Sequence, residues 1–594
     1  MKEQAWFEMV DVRRRRWETA VWIPLRRSET LAREGDYSTL GSLEEFDGVG
    51  AVAIHPEFRE LAEKLGWSDF GLINTKSYAS KNHPYKPADV VWHNDGQAIG
   101  FSLVLVHRVS RDHPSQWIVH PDLVIALGLL QEGDSWLRVD EGYIEVIRQR
   151  RNAAGEVVAI EIKSDFLRDY LCARGLDLRV AQFHQRWEIA EAIDHLSWGE
   201  NGAEIEEPFE RLSLGAHAIG HDGGPPDAGM AVFKAWRTDV DPEQDAQVFG
   251  AETDENTDYE TKTFMRPGGR VGYRVEGGLW REAWIEQADR SIRVRGDKPR
   301  DVLRFVVDAA GATMSATELN REDIGRWLYF RPQVVGALLS YRGSALSWYT
   351  ENTGSVQCSP NEGVHFGIDA AGLINVYAED IANKAQWQQQ VWLGHNVVPA
   401  GPASAELLSA QMRCEPASTE APENYFQEML KRLDAAFVKL HGSPLFHDHP
   451  DKDGMLDTMH RFRGLTGRAG VLSLAKDIAR ATADAIDGAR MRALVPPGTK
   501  PGLGSLKLLD AYLAAKVGAV RSREIMGPLV GVYDLRLGDA HPASSGIADA
   551  VKLARVDPDA DGVEQCKQLF QSAALALQSI LEAVCPPTAP SELK

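Results

Sequence analysis

The sequence predicts a multidomain protein: an α+β N-terminal region that carries a duplicated β-rich module, followed by an all-α helical bundle. Three observations lead there. At 594 residues the chain is too long for a single hydrophobic core. Up to residue 400, short β-rich runs alternate with Gly, Asn and Pro turns, and one pattern occurs twice. Beyond Pro422, apolar residues recur at helical spacing. The expected boundaries are 1–225 for a first α+β domain, 226–400 for a second, 401–422 for a linker rich in Ala, Ser, Glu and Pro, and 423–594 for the helical domain.

Composition narrows the class. Hydrophobic content of 44% and charged content of 25% are those of a globular protein. A net charge of −21 argues against a broad, nonspecific grip on nucleic acid. A nuclease with this balance would need a local basic cleft, or would stay weakly active until triggered. Cys172, Cys358, Cys414, Cys566 and Cys585 are isolated, with neither disulfide-framework nor metal spacing, which predicts a reducing compartment. The first residues lack a secretory apolar stretch and no run reaches membrane-span length. A cytoplasmic protein with no membrane partner is expected.

The Arg13–Arg16 run reads as a solvated face, because Glu18 follows and no second basic cluster supports it. Ala20–Pro24, Gly50–Ile54 and Ile99–His107 read as strands. Glu57–Leu65, opened by Pro56, reads as a short helix. The repeat then appears. Pro121, Leu127, Trp136 and Gly155 of one copy pair with Pro332, Leu338, Trp348 and Gly372 of the other. Each copy reads as a helix followed by a β-meander whose last hairpin turns on Ala-Ala-Gly.

Several stretches carry chemistry. Glu161 and Lys163 alternate on a predicted strand and so share a face, with Asp140 upstream. Such an E-x-K resembles the PD-(D/E)xK nuclease arrangement, in which carboxylates hold Mg²⁺ and the lysine aids the attacking water. The strand also reads as purely structural. Met265–Gly272, rich in Gly and Arg, reads as a hairpin turn rather than a phosphate loop, and no nucleotide-binding motif or cofactor is expected. His441, His447, His449, Asp451, Asp453 and His460 could offer imidazoles and carboxylates to a divalent metal, but incidental loop chemistry is favoured and no metal is expected.

Helices are expected at Asn424–Leu440, Arg468–Ala493, Leu503–Val517, Ser522–Leu535 and Gly562–Val584. Between the last two lies YDLRLGDAH. Arg536 supplies a permanent planar cation suited to phosphate. His541 supplies a proton carrier near neutral pH, placed where Gly538 and Pro542 break the helix. At these residues the chain resembles the HEPN-domain ribonucleases, over roughly its last third. Arg536 and His541 match that family's Arg/His motif. Leu537 stands where the family usually has a polar residue, a role left to Asp534 or Asp539. The resemblance implies metal-independent RNA cleavage by Arg536 and His541, with two protomers sharing a composite site. It implies an antiviral or toxin-like effector whose residues 1–400 sense a protein trigger. A non-catalytic scaffold with a HEPN-like dimerisation bundle is the alternative.

Overall fold

The computed structural model describes residues 2–36, 39–66, 70, 78–80, 83–86, 89–92, 97–107, 116–221, 224–226, 229–237, 257–265, 269–299, 302–320, 325–360, 362–447, 452–540 and 546–585. The chain divides into two compact units, Met1–Arg300 and Asp301–Lys594. The first is β-rich. The second joins a smaller β module to a helical segment. Among the described residues no helix is long and apolar enough to cross a membrane.

Long strands of alternating side chains build the first unit. They are β1 (Trp22–Glu34), β2 (Leu43–Ile54), β3 (Leu129–Glu132), β4 (Ser135–Arg138), β5 (Ile144–Arg151), β6 (Val157–Lys163), β7 (Asp177–Ala190), β8 (Ala203–Glu207), β9 (Glu210–Gly220) and β10 (Arg270–Ile285). They lie in one sheet in the order β8-β9-β10-β7-β2-β1-β6-β5-β4-β3. The expected boundary at residues 225/226 falls between β9 and β10, which are hydrogen-bonded neighbours, so it would cut this sheet. The expected hairpin at 265–272 is also revised. The strand Thr257–Met265 pairs with Gly229–Arg237 in a separate ribbon, while β10 joins the large sheet.

The face shared by β2 and β7 changes character along its length. Leu178 and Val180 stand opposite Ala53 and Ala51, and these pack into the core with Ile23, Leu25, Ile160 and Ile162. Further along, His184 and Arg186 stand opposite Asp47 and Glu45. The Asp47 carboxylate accepts from Arg27 at 2.7 Å, from Gln182 at 2.7 Å and from the His184 ring at 3.2 Å. Glu45 accepts from the other ring nitrogen of His184 at 2.9 Å and from Arg186 at 2.9 Å. A ring that meets a carboxylate at each nitrogen satisfies both only as the imidazolium.

Both repeat copies form a helix followed by a β-meander, with one of the expected pairings displaced. The first runs from helix α1 (Pro121–Ala126) through β3–β6 to helix α2 (Ser164–Arg174). In the second unit, strand β11 (Trp327–Phe330) leads into helix α3 (Gln333–Leu339). Strands β12 (Ala345–Trp348), β13 (Thr353–Gln357), β14 (Val364–Ile368) and β15 (Ile374–Tyr377) follow, and helix α4 (Ala378–Ala382) closes the copy. The hairpins match bond for bond. Asn152 Oδ1 accepts from the amides of Ala154 and Glu156, and Asp369 Oδ1 accepts from those of Ala371 and Leu373. Gly155 and Gly372 take the left-handed backbone (φ 82° and 77°) that the turn requires. Trp136 and Trp348 are not equivalent, since they lie on the second and first strands of their meanders.

The expected linker is structured. Helix α5 (Ala405–Arg413) buries Leu407 completely, and the Ser404 amide donates to Asn375 of β15. The helical segment follows: α6 (Pro422–His441), α7 (Arg468–Ala481), α8 (Gly488–Leu494), α9 (Ser505–Val517), α10 (Ala519–Ala540), α11 (Ile547–Leu553) and α12 (Gly562–Val584). The expected helix over 468–493 breaks at 482–487, where Asp487 caps α8 by accepting from Ala489 and Arg490. Phe462 belongs to the core of the β module with Trp348 and Phe366, so module and helices share one hydrophobic seam.

The His184 network fixes the acid–base stability of the first unit. Burial alone would drive His184 neutral, but its hydrogen bonds to Asp47 and Glu45 outweigh that and hold its pKa above the usual histidine value. Burial opposes ionisation of Asp47 too, yet His184, Arg27 and Gln182 pull its pKa down to about 2. The His184 contribution is complete below its unfolded value and is lost as pH rises through the raised one. The Asp47 contribution is complete above its unfolded value and is lost as pH falls toward the lowered one. Urea unfolding of the full chain, followed across pH, is expected to show greatest stability of this unit in the mildly acidic range. His184→Gln should flatten the alkaline fall, and Asp47→Ala should cost roughly 3–5 kcal/mol by stranding buried cations. An unchanged pH profile in His184→Gln would refute the imidazolium bridge.

Candidate functional site

Arg536 and Asp534 lie near the C-terminal end of α10, which continues to Ala540. The side chains of residues 537–540, Asp539 among them, and residues 541–545, which include His541, lie outside the described residues. The Arg536 guanidinium sits 4.2 Å from the centre of the Tyr533 ring and donates to the Asp484 carboxylate in the turn after α7. It keeps 25% of its side-chain surface open to solvent. Leu535 beside it is buried, which anchors this part of the helix. Asp534 is half-buried, and that burial pushes its carboxyl pKa up. Residues two apart on a helix point in different directions, so Asp534 and Arg536 do not share a face.

The other sequence candidates separate. Glu161 is buried and accepts from Arg27 at 2.7 Å and from Arg148 at 2.8 Å, one guanidinium on each oxygen. Those pairings occupy the positions a metal would need. Lys163 turns to the Trp22 ring at 5.5 Å, and Asp140 stands exposed near Arg138. In the histidine loop, His441 pairs with the Tyr512 hydroxyl at 2.8 Å and His447 lies 3.8 Å from Asp487. His460 is partly buried, and the loss of solvation pushes its pKa down to about 4. His449 and Asp451 lie outside the described residues. Among the described residues no group of histidine, cysteine or carboxylate side chains is placed to hold a metal. Of the Arg13–Arg16 run, Arg13 is engaged by Glu207 and Glu210.

One feature escaped the sequence reading. A cleft of about 500 Å³ opens between α10 and α11, lined by Arg523, Glu524, Gly527, Pro528, Asp549, Lys552, Leu553 and Arg555. Its cations are up to 32 positions apart in sequence, so no basic run announces them. The signal lay in small residues. A Cβ on Gly531 would come within 2.2 Å of the Ala554 amide, so glycine lets α11 close onto α10.

No family model, no curated protein and no solved structure matches the chain. The partly exposed Arg536–Asp484 pair should contribute less than about 1 kcal/mol to stability. Arg536→Ala is expected to unfold within that margin of wild type in urea. A larger loss would assign Arg536 a structural role.

Proposed function

We propose that the chain is a metal-independent endoribonuclease, with residues 423–594 as a HEPN-like effector and residues 1–400 as the region that senses a protein trigger. The observation that carries this reading is the setting of Arg536. Its guanidinium is partly open to solvent, oriented by a tyrosine ring, and paired with one partly exposed carboxylate that a phosphate can replace. His541 follows within the same short motif. In this mechanism His541 takes the proton from a ribose 2′-OH, or delivers one to the departing 5′-oxygen, and Arg536 neutralises charge on the phosphorane. The attacking 2′-oxygen forms the new P–O bond as the 5′-oxygen leaves, giving a 2′,3′-cyclic phosphate. A base and an acid on opposite sides of the phosphate call for two motifs, hence a homodimer with two-fold contacts through the helical segment. Asp484 holds Arg536 until substrate or a trigger displaces it. An antiviral or toxin-like role rests on family analogy.

A scaffold reading is favoured by the same ion pair, if Asp484 is a permanent partner, and by Leu537 in place of a polar residue. RNA degradation separates the two. Wild type should cleave RNA in EDTA, and Arg536→Ala and His541→Ala should each lose about 10²–10⁴-fold in rate. Asp484→Asn should cleave faster than wild type. Light scattering should report a dimer. Full activity in both motif variants would refute the assignment, and chelation-sensitive cleavage would place the chemistry elsewhere.

A further inference from the structure

We infer that the cleft between α10 and α11 is a docking groove for the phosphate backbone of single-stranded RNA. The inference deepens the ribonuclease reading and rests on it for the identity of the strand. Arg523, Lys552 and Arg555 line the cleft from two helices. All three are exposed, and none is paired with a carboxylate among the described residues. Of the two acids in the lining, Glu524 is drawn to Arg521 at 3.0 Å. Asp549 remains in the lining, so three cations outnumber its acids, and in a chain of net charge −21 that local excess of positive charge attracts anions.

The backbone adds to the case. Arg555 adopts a left-handed conformation (φ 55°) just beyond the end of α11. A side chain other than glycine is held there at a cost that the surrounding packing must offset. Ala554 beside it is fully buried against α10, so that packing is present, and it sets the position from which Arg555 reaches the cleft. Pro528 lies inside α10 and has no N–H to give the Glu524 carbonyl. Arg523 and Arg536 lie on the same helix, about 20 Å apart along its axis. Thirteen residues at about 100° each also turn Arg536 about 140° around the helix from Arg523, so the groove holds the strand on a different face of α10 from Arg536. Multivalent phosphate contact with no base reading fits a single strand of any sequence.

The test uses the full-length chain carrying His541→Ala, so that bound RNA is not consumed. Binding of a short fluorescein-labelled single-stranded RNA is followed by anisotropy at several salt concentrations. The triple change Arg523→Ala, Lys552→Ala and Arg555→Gly, the last suited to the left-handed backbone, should weaken binding at least about tenfold. It should lower the slope of log affinity against log salt by about 2. Arg523→Lys with Arg555→Lys, which keeps the charge, should bind close to the parent and rule out misfolding as the cause. Undiminished RNA binding by the triple variant overturns the groove, as does absence of binding by the parent. Loss of ATP binding alone in the triple variant also overturns it, by assigning the cleft to a free nucleotide. The ribonuclease reading is judged separately. A wild type that cleaves while the triple variant binds normally removes only the groove. A wild type that binds through the groove but never cleaves removes only the catalysis.

Discussion

A guanidinium sealed from water must be paired, and the second unit is arranged around one such group. Arg461 is 2% exposed, and Glu423, 3% exposed, grips it with both oxygens at 2.8 and 2.6 Å. Its third nitrogen donates to the Glu351 carbonyl at 3.0 Å, and its central carbon lies 4.1 Å from the centre of the Trp348 ring. Glu423 opens α6, whereas Glu351 and Trp348 belong to the β module. A buried ion pair of this kind offsets its own desolvation only when its geometry is complete. The pair therefore sets how the helices meet the module. Phe462 follows Arg461 into the module core, and Gly464 then passes so close to Gly562 that a Cβ on either would collide with the other's backbone. The start of α12 is placed by that contact.

The first unit answers the same constraint across a sheet. Arg27 spans Asp47 and Glu161, Arg186 spans Asp11 and Glu45, and His184 joins Asp47 to Glu45. Asp47, Glu45 and Glu161 each serve more than one cation, so removing one of these three leaves charge stranded in low dielectric. Such a network specifies register. A one-residue slip of β7 on β2 would carry His184 and Arg186 to the opposite face and leave Asp47 and Glu45 unmatched. The charged end of the face thus does for pairing what the apolar end does for burial.

Much of this fold was legible in sequence, for local reasons. The two Ala-Ala-Gly hairpins announced themselves because a side-chain oxygen, two small residues and a glycine encode the turn without help from elsewhere. The β-rich to helical change near Pro422 was equally plain. What the sequence concealed depends on partners far along the chain. Glu161 looked like a possible metal ligand until Arg27, well over a hundred positions away, claimed one of its oxygens. The segment 401–422 looked like a linker because it is rich in Ala, Ser, Glu and Pro, yet one leucine, Leu407, is buried completely and seats α5. The break before α8 was hidden because Thr482–Asp487 contains neither Gly nor Pro. At the motif, the helix expected to end at Leu535 runs on through Gly538 to Ala540, and the pattern gave no hint of Asp484, which meets Arg536 from 52 positions away.

Charge economy links these pairings to function. An acidic chain that commits arginines such as Arg27, Arg186 and Arg461 to buried carboxylates has fewer to offer an anionic ligand. Those buried guanidiniums are held by several contacts each, and a phosphate could displace none of them without opening a core. Arg536 differs, because its pairing is partly exposed and a surface ion pair is worth little. Arg523, Lys552 and Arg555 differ further, since no carboxylate among the described residues neutralises them. A group of cations with little to lose by meeting a phosphate therefore lies on or against α10, the helix that leads into the His541 segment. The division of labour follows from burial: arginines inside hold the fold, and accessible cations on α10 and on the neighbouring α11 segment remain open to chemistry.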